Sequence, residues 1–311
     1  MGKVDTAEKV NNRRMQMSDI TILTPTYNRG ELLQKLYRSL CAQCCKDFEW
    51  LIIDDGSKDE TEQYVNQMKG EADFSIYYHK KENGGKHTAL NYAYQHIKTP
   101  LTFIVDSDDT LTPNAISIIQ DIYEKYRNEK ELCGFSFLRG KPEGGYLSDS
   151  GVPIEGMKET YVECRINRGI GGDMAEVWYT RCLKEYPFPI FEGEKFLGED
   201  VVWIRMSEKY KMRFFNKVIY ISNYLDDGLT NNRRKHNIAS PRGCIARAEA
   251  FLESEANIRS KIKAMLQYQV YGKFAGLTMK AMYNKSGHKF LFLVLAGPAK
   301  ILFLKWKSTT G

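Results

Sequence analysis

Four apolar runs, ITILTPTY at residues 20–27, FEWLIID at 48–54, FSIYYHKK at 74–81 and PLTFIV at 100–105, alternate with segments of helical period. Short apolar runs of this kind suit buried strands. Their regular alternation with helices suits β–α–β units, which build a parallel sheet covered on both faces. The fold class expected is therefore α/β: a doubly wound, mostly parallel sheet flanked by helices. Such sheets bind ligands beyond the carboxyl ends of their strands. The polar residues of this chain gather there, at Pro25–Asn28, Asp54–Ser57 and Asp106–Asp109.

The last of these clusters, FIVDSDDTLTP, places Asp106, Asp108 and Asp109 within four positions. Adjacent carboxylates repel one another, so a cation or a helix N-terminus must share them. Hard cations such as Mg²⁺ or Mn²⁺ take oxygen ligands, often one or two carboxylates completed by substrate phosphates. A helix cap by Asp109 or Thr110 would explain one acid but not three. The same string resembles the Asp-x-Asp-Gly-Thr motif of haloacid-dehalogenase-type phosphatases, in which the first Asp is a nucleophile. Against that hydrolase reading, Asp109 stands where the pattern has Gly, and 105 residues precede the motif.

Beyond the helix NAISIIQDIYEKYRN and the strand LCGFSFLRG, residues 139–199 are rich in Gly, Pro and aromatics, as loops over a site would be. EDVVWIRMSEKY reads as a helix and MRFFNKVIYISNY as strand pairs, and from about Pro241 the chain turns helical. The expected division is a disordered lead at 1–17, a catalytic domain at 18–240 and a basic helical tail at 241–311. Residues 256–311 hold no Asp or Glu but ten of the 45 Lys and Arg, leaving 35 basic against 39 acidic residues in the rest. Seven cysteines, an odd number in a chain of 311, give no disulfide framework. Cys41, Cys44 and Cys45 have no second cluster to complete a metal knuckle, so buried thiols are expected. No apolar signal segment opens the chain, and no run reaches the ~18 apolar residues of a membrane span. A cytoplasmic protein is expected.

Taken in order, TPTYNRGELLQKLY, LIIDDGSKDET, NGGKHTALNYAY, VDSDD and FLGEDVVWIR resemble the successive motifs of glycosyltransferase family 2, over residues 20–230. The resemblance implies the GT-A fold with a C-terminal helical extension, a nucleotide-sugar donor, expected to be a UDP-sugar, and Mn²⁺ or Mg²⁺. It implies that Pro25 and Tyr27 flank the nucleotide base and that Asp55 accepts a hydrogen bond from it, with Asp54 in support. Lys86 would sit at the diphosphate or ribose, Asp106 towards the ribose, and Asp108 on the metal. Asp109 would be a metal neighbour or a cap. Asp200 would be the general base of an inverting transfer, with Glu199 the second choice. Asp173 and Glu176 would meet sugar or acceptor hydroxyls. Many family members carry a further His after the last strand; here Asp226, Asp227 and His236 are the candidates for a third ligand. Arg233, Arg234 and Lys235 could grip phosphate or form an exposed basic loop. Trp178 and Trp203 could stack on a sugar, though core packing is the commoner use of such residues.

The tail segment HKFLFLVLAGPAKILFLKWK carries an apolar run flanked by lysines, with Trp306 near its end. It is too short to span a bilayer and suits an interfacial helix; a helix packed on the body or in a dimer interface is the plainer alternative. Expected partners are a saccharide or lipid-linked saccharide acceptor of bacterial surface-polysaccharide synthesis and the inner face of a membrane, with no nucleic acid; an oligomer is possible on either account of the tail. A catalytically inactive, membrane-docked sugar-nucleotide binder is the non-enzyme alternative.

Overall fold

The computed structural model describes residues 18–147, 151–222 and 233–310. Nine strands form one sheet in the order β3-β2-β1-β4-β8-β6-β9-β5, with β7 pairing β9. They are β1 Ile20–Thr26, β2 Glu49–Asp54, β3 Ser75–Lys80, β4 Leu101–Ile104, β5 Thr110–Leu111, β6 Leu132–Gly140, β7 Met157–Glu159, β8 Met174–Tyr179 and β9 Lys211–Ile221. The expected parallel pairing holds from β3 to β4. Beyond β4 the sheet is mixed: β8 runs antiparallel to both β4 and β6, and β9 is parallel to β6.

The helices that cover the parallel half follow from spacing. Helix α1, Gly30–Cys41, buries Leu33, Leu36 and Leu40, one face of a 3.6-residue period. It packs so closely on α2, Thr61–Glu71, that a Cβ on Gly30 would lie 2.7 Å from the Tyr64 ring. Helix α3, Lys86–Tyr94, buries His87, Ala89, Leu90, Ala93 and Tyr94. Helix α4, Ala115–Tyr126, lacks a side-chain cap of its own, and Gln43 supplies one by accepting from the Ile116 N–H at 3.2 Å.

Two sequence expectations are corrected here. Asp109 and Thr110 do not cap a helix, because Thr110–Leu111 pair with β9 and the helix opens only at Ala115. Within MRFFNKVIYISNY, residues 212–221 are not a pair of strands but part of a single strand, β9, whose register against β6 jumps between Phe215 and Val218. The bulge at Asn216 is held by two hydrogen bonds to Val152, at 2.7 and 2.9 Å.

Short helices α5, Thr180–Glu185, and α6, Asp200–Met206, follow β8 and the long loop. The tail is α7 Arg233–Ala239, α8 Pro241–Glu253, α9 Ile258–Phe274, α10 Met279–Lys285 and α11 Lys289–Thr310. It builds a second core from Ile245, Ala248, Leu252, Met265, Tyr268, Tyr271, Met282 and Phe292. Helix α8 belongs to both cores. Its Ala246 and Ala250 pack into the main core, while Ile245, Ala248 and Leu252 face the second.

Candidate active site

The carboxyl edge of β1, β2 and β4 is a set of turns that hold one another. Asn28, in the left-handed region at φ 52°, donates its N–H to Ser57 Oγ at 2.8 Å and accepts from the Lys58 N–H at 2.8 Å. Pro25 is the last residue but one of β1, and Tyr27, just past the strand, is 44% exposed, leaving an aromatic face open. Asp54 is fully buried and structural: it accepts from the Ser57 N–H at 2.7 Å and from Tyr78 Oη at 2.6 Å.

Asp55 is also buried, and its carboxylate organises the loop before α3. Oδ1 accepts from Lys81 Nζ at 2.7 Å and the Gly84 N–H at 3.0 Å, and Oδ2 accepts from the Gly85 N–H at 2.7 Å and Asn83 Nδ2 at 3.2 Å. Four donors match the acceptor capacity of a carboxylate, so a nucleotide base could bond Asp55 only by displacing one of them. Gly85, at φ 92°, lets this loop pass so near residue 195 that a Cβ would fall 2.0 Å from the Lys195 carbonyl oxygen.

That loop delivers Lys86. Its Nζ lies 2.5 Å from Asp106 Oδ1 and 2.6 Å from Glu199 Oε1, bridging motifs 93 positions apart in the chain. Burial by itself would favour the neutral amine, but the two carboxylates outweigh it and hold the Lys86 pKa above the ordinary lysine range. Burial would likewise raise the Asp106 pKa, yet Lys86, Arg139 and Arg29 keep it below the usual carboxylate value. Both groups are charged at neutral pH.

Each acid of the triplet has its own cation or donor. Asp108 Oδ2 is 2.8 Å from Arg29 Nη1. Asp109 is buried and accepts from Tyr220 Oη at 2.7 Å, and the same oxygen of Tyr220 accepts from the Asp106 N–H at 3.0 Å. Arg139 lies over the Tyr220 ring at 4.1 Å and reaches Asp109 Oδ2 at 3.8 Å. Tyr220 thus ties the first and last acids of the triplet together from β9. Asp109 is neither cap nor open ligand; it fixes the turn that presents Asp106 and Asp108.

Asp200 opens α6 and is gripped from the tail by Arg247 of α8. Nε lies 2.7 Å from Oδ1 and 2.9 Å from Oδ2, and Nη2 lies 2.5 Å from Oδ2. Glu176, on β8, is half-buried among Arg165, Arg139, Glu199 and Asp173, and burial first, with the two neighbouring acids, pushes its pKa up to about 7 despite the two arginines. Asp173 is exposed just before that strand. Arg165, in a π-helical turn at Val162–Asn167, donates to the carbonyl oxygens of Ile170 and Gly172, which lead into β8.

The structure therefore brings Asp106, Asp108, Lys86, Glu199, Glu176 and Asp55 to one edge of the sheet, with Pro25 and Tyr27 beside it. His236 is instead stacked on Phe196 at 5.6 Å, and Trp178 on Trp203 at 4.0 Å, both tryptophans being buried core. Arg234 lies over the Trp306 ring at 5.4 Å. Asp226 and Asp227 lie outside the described residues. The sequence reading missed Arg29, Arg139, Tyr220 and Arg247. Arg29 alone had a local signal, standing directly after the Pro-Thr-Tyr-Asn turn. No third acid, His or Cys joins Asp106 and Asp108 among the described residues. Two carboxylates at a strand end still fit a hard divalent cation whose shell is finished by substrate phosphates.

Comparison with known proteins agrees with this geometry. Residues 21–147 match the model of the family described as glycosyl transferase family 2. An uncharacterized glycosyltransferase of Mycoplasma pneumoniae is 33% identical over 111 residues, which cover 34% of this chain and 37% of that protein. The chain thus spans little more than a third of that relative. A GalNAc(5)-diNAcBac-PP-undecaprenol beta-1,3-glucosyltransferase of Campylobacter jejuni is 26% identical over 301 residues, covering 93% of each protein. Among solved structures, Staphylococcus aureus TarS 1–349 in complex with UDP-GlcNAc superimposes with a TM-score of 0.62 at 16% identity, covering 90% of this chain and 80% of that 1–349 chain. That likeness confirms the GT-A-like fold, tail helices included. Motif order, sheet topology and family match agree: the chain carries a glycosyl transferase family 2 domain at residues 21–147.

Proposed function

We propose that this glycosyltransferase moves a sugar, with inversion, from a UDP-sugar to a saccharide or lipid-linked saccharide acceptor in bacterial surface-polysaccharide synthesis. The observation that carries the reading is the convergence of Asp106, Asp108, Lys86 and Glu199 at the carboxyl edge of the sheet. The UDP-GlcNAc bound by the structural neighbour and the lipid-linked substrate in the name of the Campylobacter relative support the donor and acceptor classes.

In this reading Tyr27 offers its exposed ring to the base, and Asp55 holds the loop that forms the opposite wall. Asp106 and Asp108 face the diphosphate and are the residues that would hold Mn²⁺ or Mg²⁺. When bound, such a cation neutralises charge developing on the leaving diphosphate. Lys86 and Arg29 lie beside the same acids, so an incoming diphosphate finds two side-chain cations within reach of its oxygens. Asp200 takes the acceptor hydroxyl's proton as that oxygen attacks the anomeric carbon from the face opposite the diphosphate. Arg247 fixes the direction of the Asp200 carboxylate, and Oδ1 receives only Nε among the hydrogen bonds described. A second reading gives the proton to Glu199, because Lys86 ties it directly to Asp106.

Turnover of a UDP-sugar panel by the wild type, Asp200→Asn and Glu199→Gln tests this. Asp200→Asn is expected to keep UDP binding by calorimetry and to lose transfer by ~10²–10⁴-fold, the usual contribution of a general base. An active Asp200→Asn beside an inactive Glu199→Gln would pass the role to Glu199. UDP binding that needs neither Asp108 nor a divalent cation would overturn the metal part of the proposal.

A further inference from the structure

The outer face of α11 has no partner in the fold, although its inner face is well packed. Phe292 and Ala299 are buried, Phe303 lies edge-on to Phe274 at 4.9 Å, and Trp306 packs on Tyr271 at 5.7 Å. On the other side Phe290 is 81% exposed, Leu293 61%, Val294 56%, Ile301 71% and Leu304 54%. Positions 290, 294, 297, 301, 304 and 308 recur at steps of four and three, so they share one side of the helix. Lys289, Lys300 and Lys307 recur at steps of 11 and 7, which returns them to one flank of that apolar face. Scattered exposed apolar side chains need no explanation, but a continuous stripe this long does.

We infer that this face of α11 docks on an anionic lipid surface, with Phe290, Val294, Ile301 and Leu304 entering the headgroup–acyl boundary and the lysines meeting phosphates. The chemistry on the page selects this occupant. A second copy of the chain would set lysine against lysine, because residues 256–311 contain no acid to answer them. A lipid surface bearing negative charge answers both parts of the face at once. The helix lies on such a surface rather than across it, since no described helix is long and apolar enough to cross a membrane. Gly297 and Pro298 fall within the continuous helix at mid-length and are exposed, where a missing backbone donor is least costly. The inference stands independently of which sugar is transferred or which acid is the base.

The test is cosedimentation of the full chain with vesicles of phosphatidylcholine alone and of phosphatidylcholine with phosphatidylglycerol, at low and high salt. The wild type is expected to bind the anionic vesicles, to bind the neutral ones weakly, and to release on adding salt. Phe290→Glu with Ile301→Glu should lower the partition coefficient by about a hundredfold or more, as the loss of two inserting apolar side chains requires. Both side chains are exposed, so the double variant should keep the wild-type melting temperature and UDP affinity, which separates loss of docking from loss of fold or donor site. Lys300→Glu should weaken binding to anionic vesicles only. Failure of the wild type to bind either vesicle, or equal binding by the double variant, overturns the inference. So does a dimer in solution that Ile301→Glu dissociates, which would assign the face to a second copy.

Discussion

A carboxylate held in a guanidinium fork keeps its direction, and Asp200 is held so by Arg247 from a helix outside the parallel half of the sheet. Lysine cannot reproduce that fork, so Arg247→Lys is expected to lower kcat by about tenfold or more while the donor KM changes little. Steady-state kinetics with the UDP-sugar donor checks it. Tyr220 ties Asp106 to Asp109, and Tyr220→Phe leaves the buried Asp109 without its 2.7 Å donor. That should cost about 1–3 kcal/mol in urea unfolding. Glu176 gives the clearest pH signature. Its folded pKa is raised to about 7, against about 4.3 for an unfolded glutamate. Between those values the unfolded chain is ionised while the folded one stays protonated, so the unfolded state gains as pH rises. Below the lower value the penalty vanishes, and above the higher one it is constant. Glu176→Gln removes it. The variant should therefore match the wild type near pH 4 and exceed it by on the order of 1–3 kcal/mol above pH 7, measured by denaturation across pH.

At the level of elements, the strands β1, β2 and β4 were legible because burial on both faces leaves a largely apolar run in the sequence. Trp50, Ile52, Leu101 and Phe103 are all fully buried there. β9 was not legible as one strand, because Asn216 and Lys217 look like a turn. Only the fold shows that Asn216 spends its side chain on Val152, so that the strand can bulge and continue. β5 escaped notice for a related reason: two residues carry no period, and their pairing with β9 spans 110 positions. The π-helical turn at Val162–Asn167 has no sequence signal of its own. The acids and Lys86 were legible from motif order. Their counter-charges were not, since Arg139 and Arg247 reach Asp109 and Asp200 only through sheet pairing and helix packing. Removing α8 to α11 should strip cover from the main core, where Ala246 and Ala250 sit. A chain ending at Ser240 is accordingly expected to melt well below the full protein, or to aggregate, in differential scanning calorimetry.

Across the whole molecule, charge is divided between a slightly acidic body and a tail whose last 56 residues carry only positive side chains. The fold keeps that division while joining the parts through α8, which packs into both cores. The sharing of α8 has a consequence for synthesis. A chain on the ribosome holds Asp106, Asp108 and Lys86 before Arg247 has been translated, and until then the Asp200 carboxylate lacks its guanidinium fork. On the proposed roles, orientation of Asp200 is the last feature of the site to form, and a prematurely terminated chain would lack both that fork and the cover of its main core.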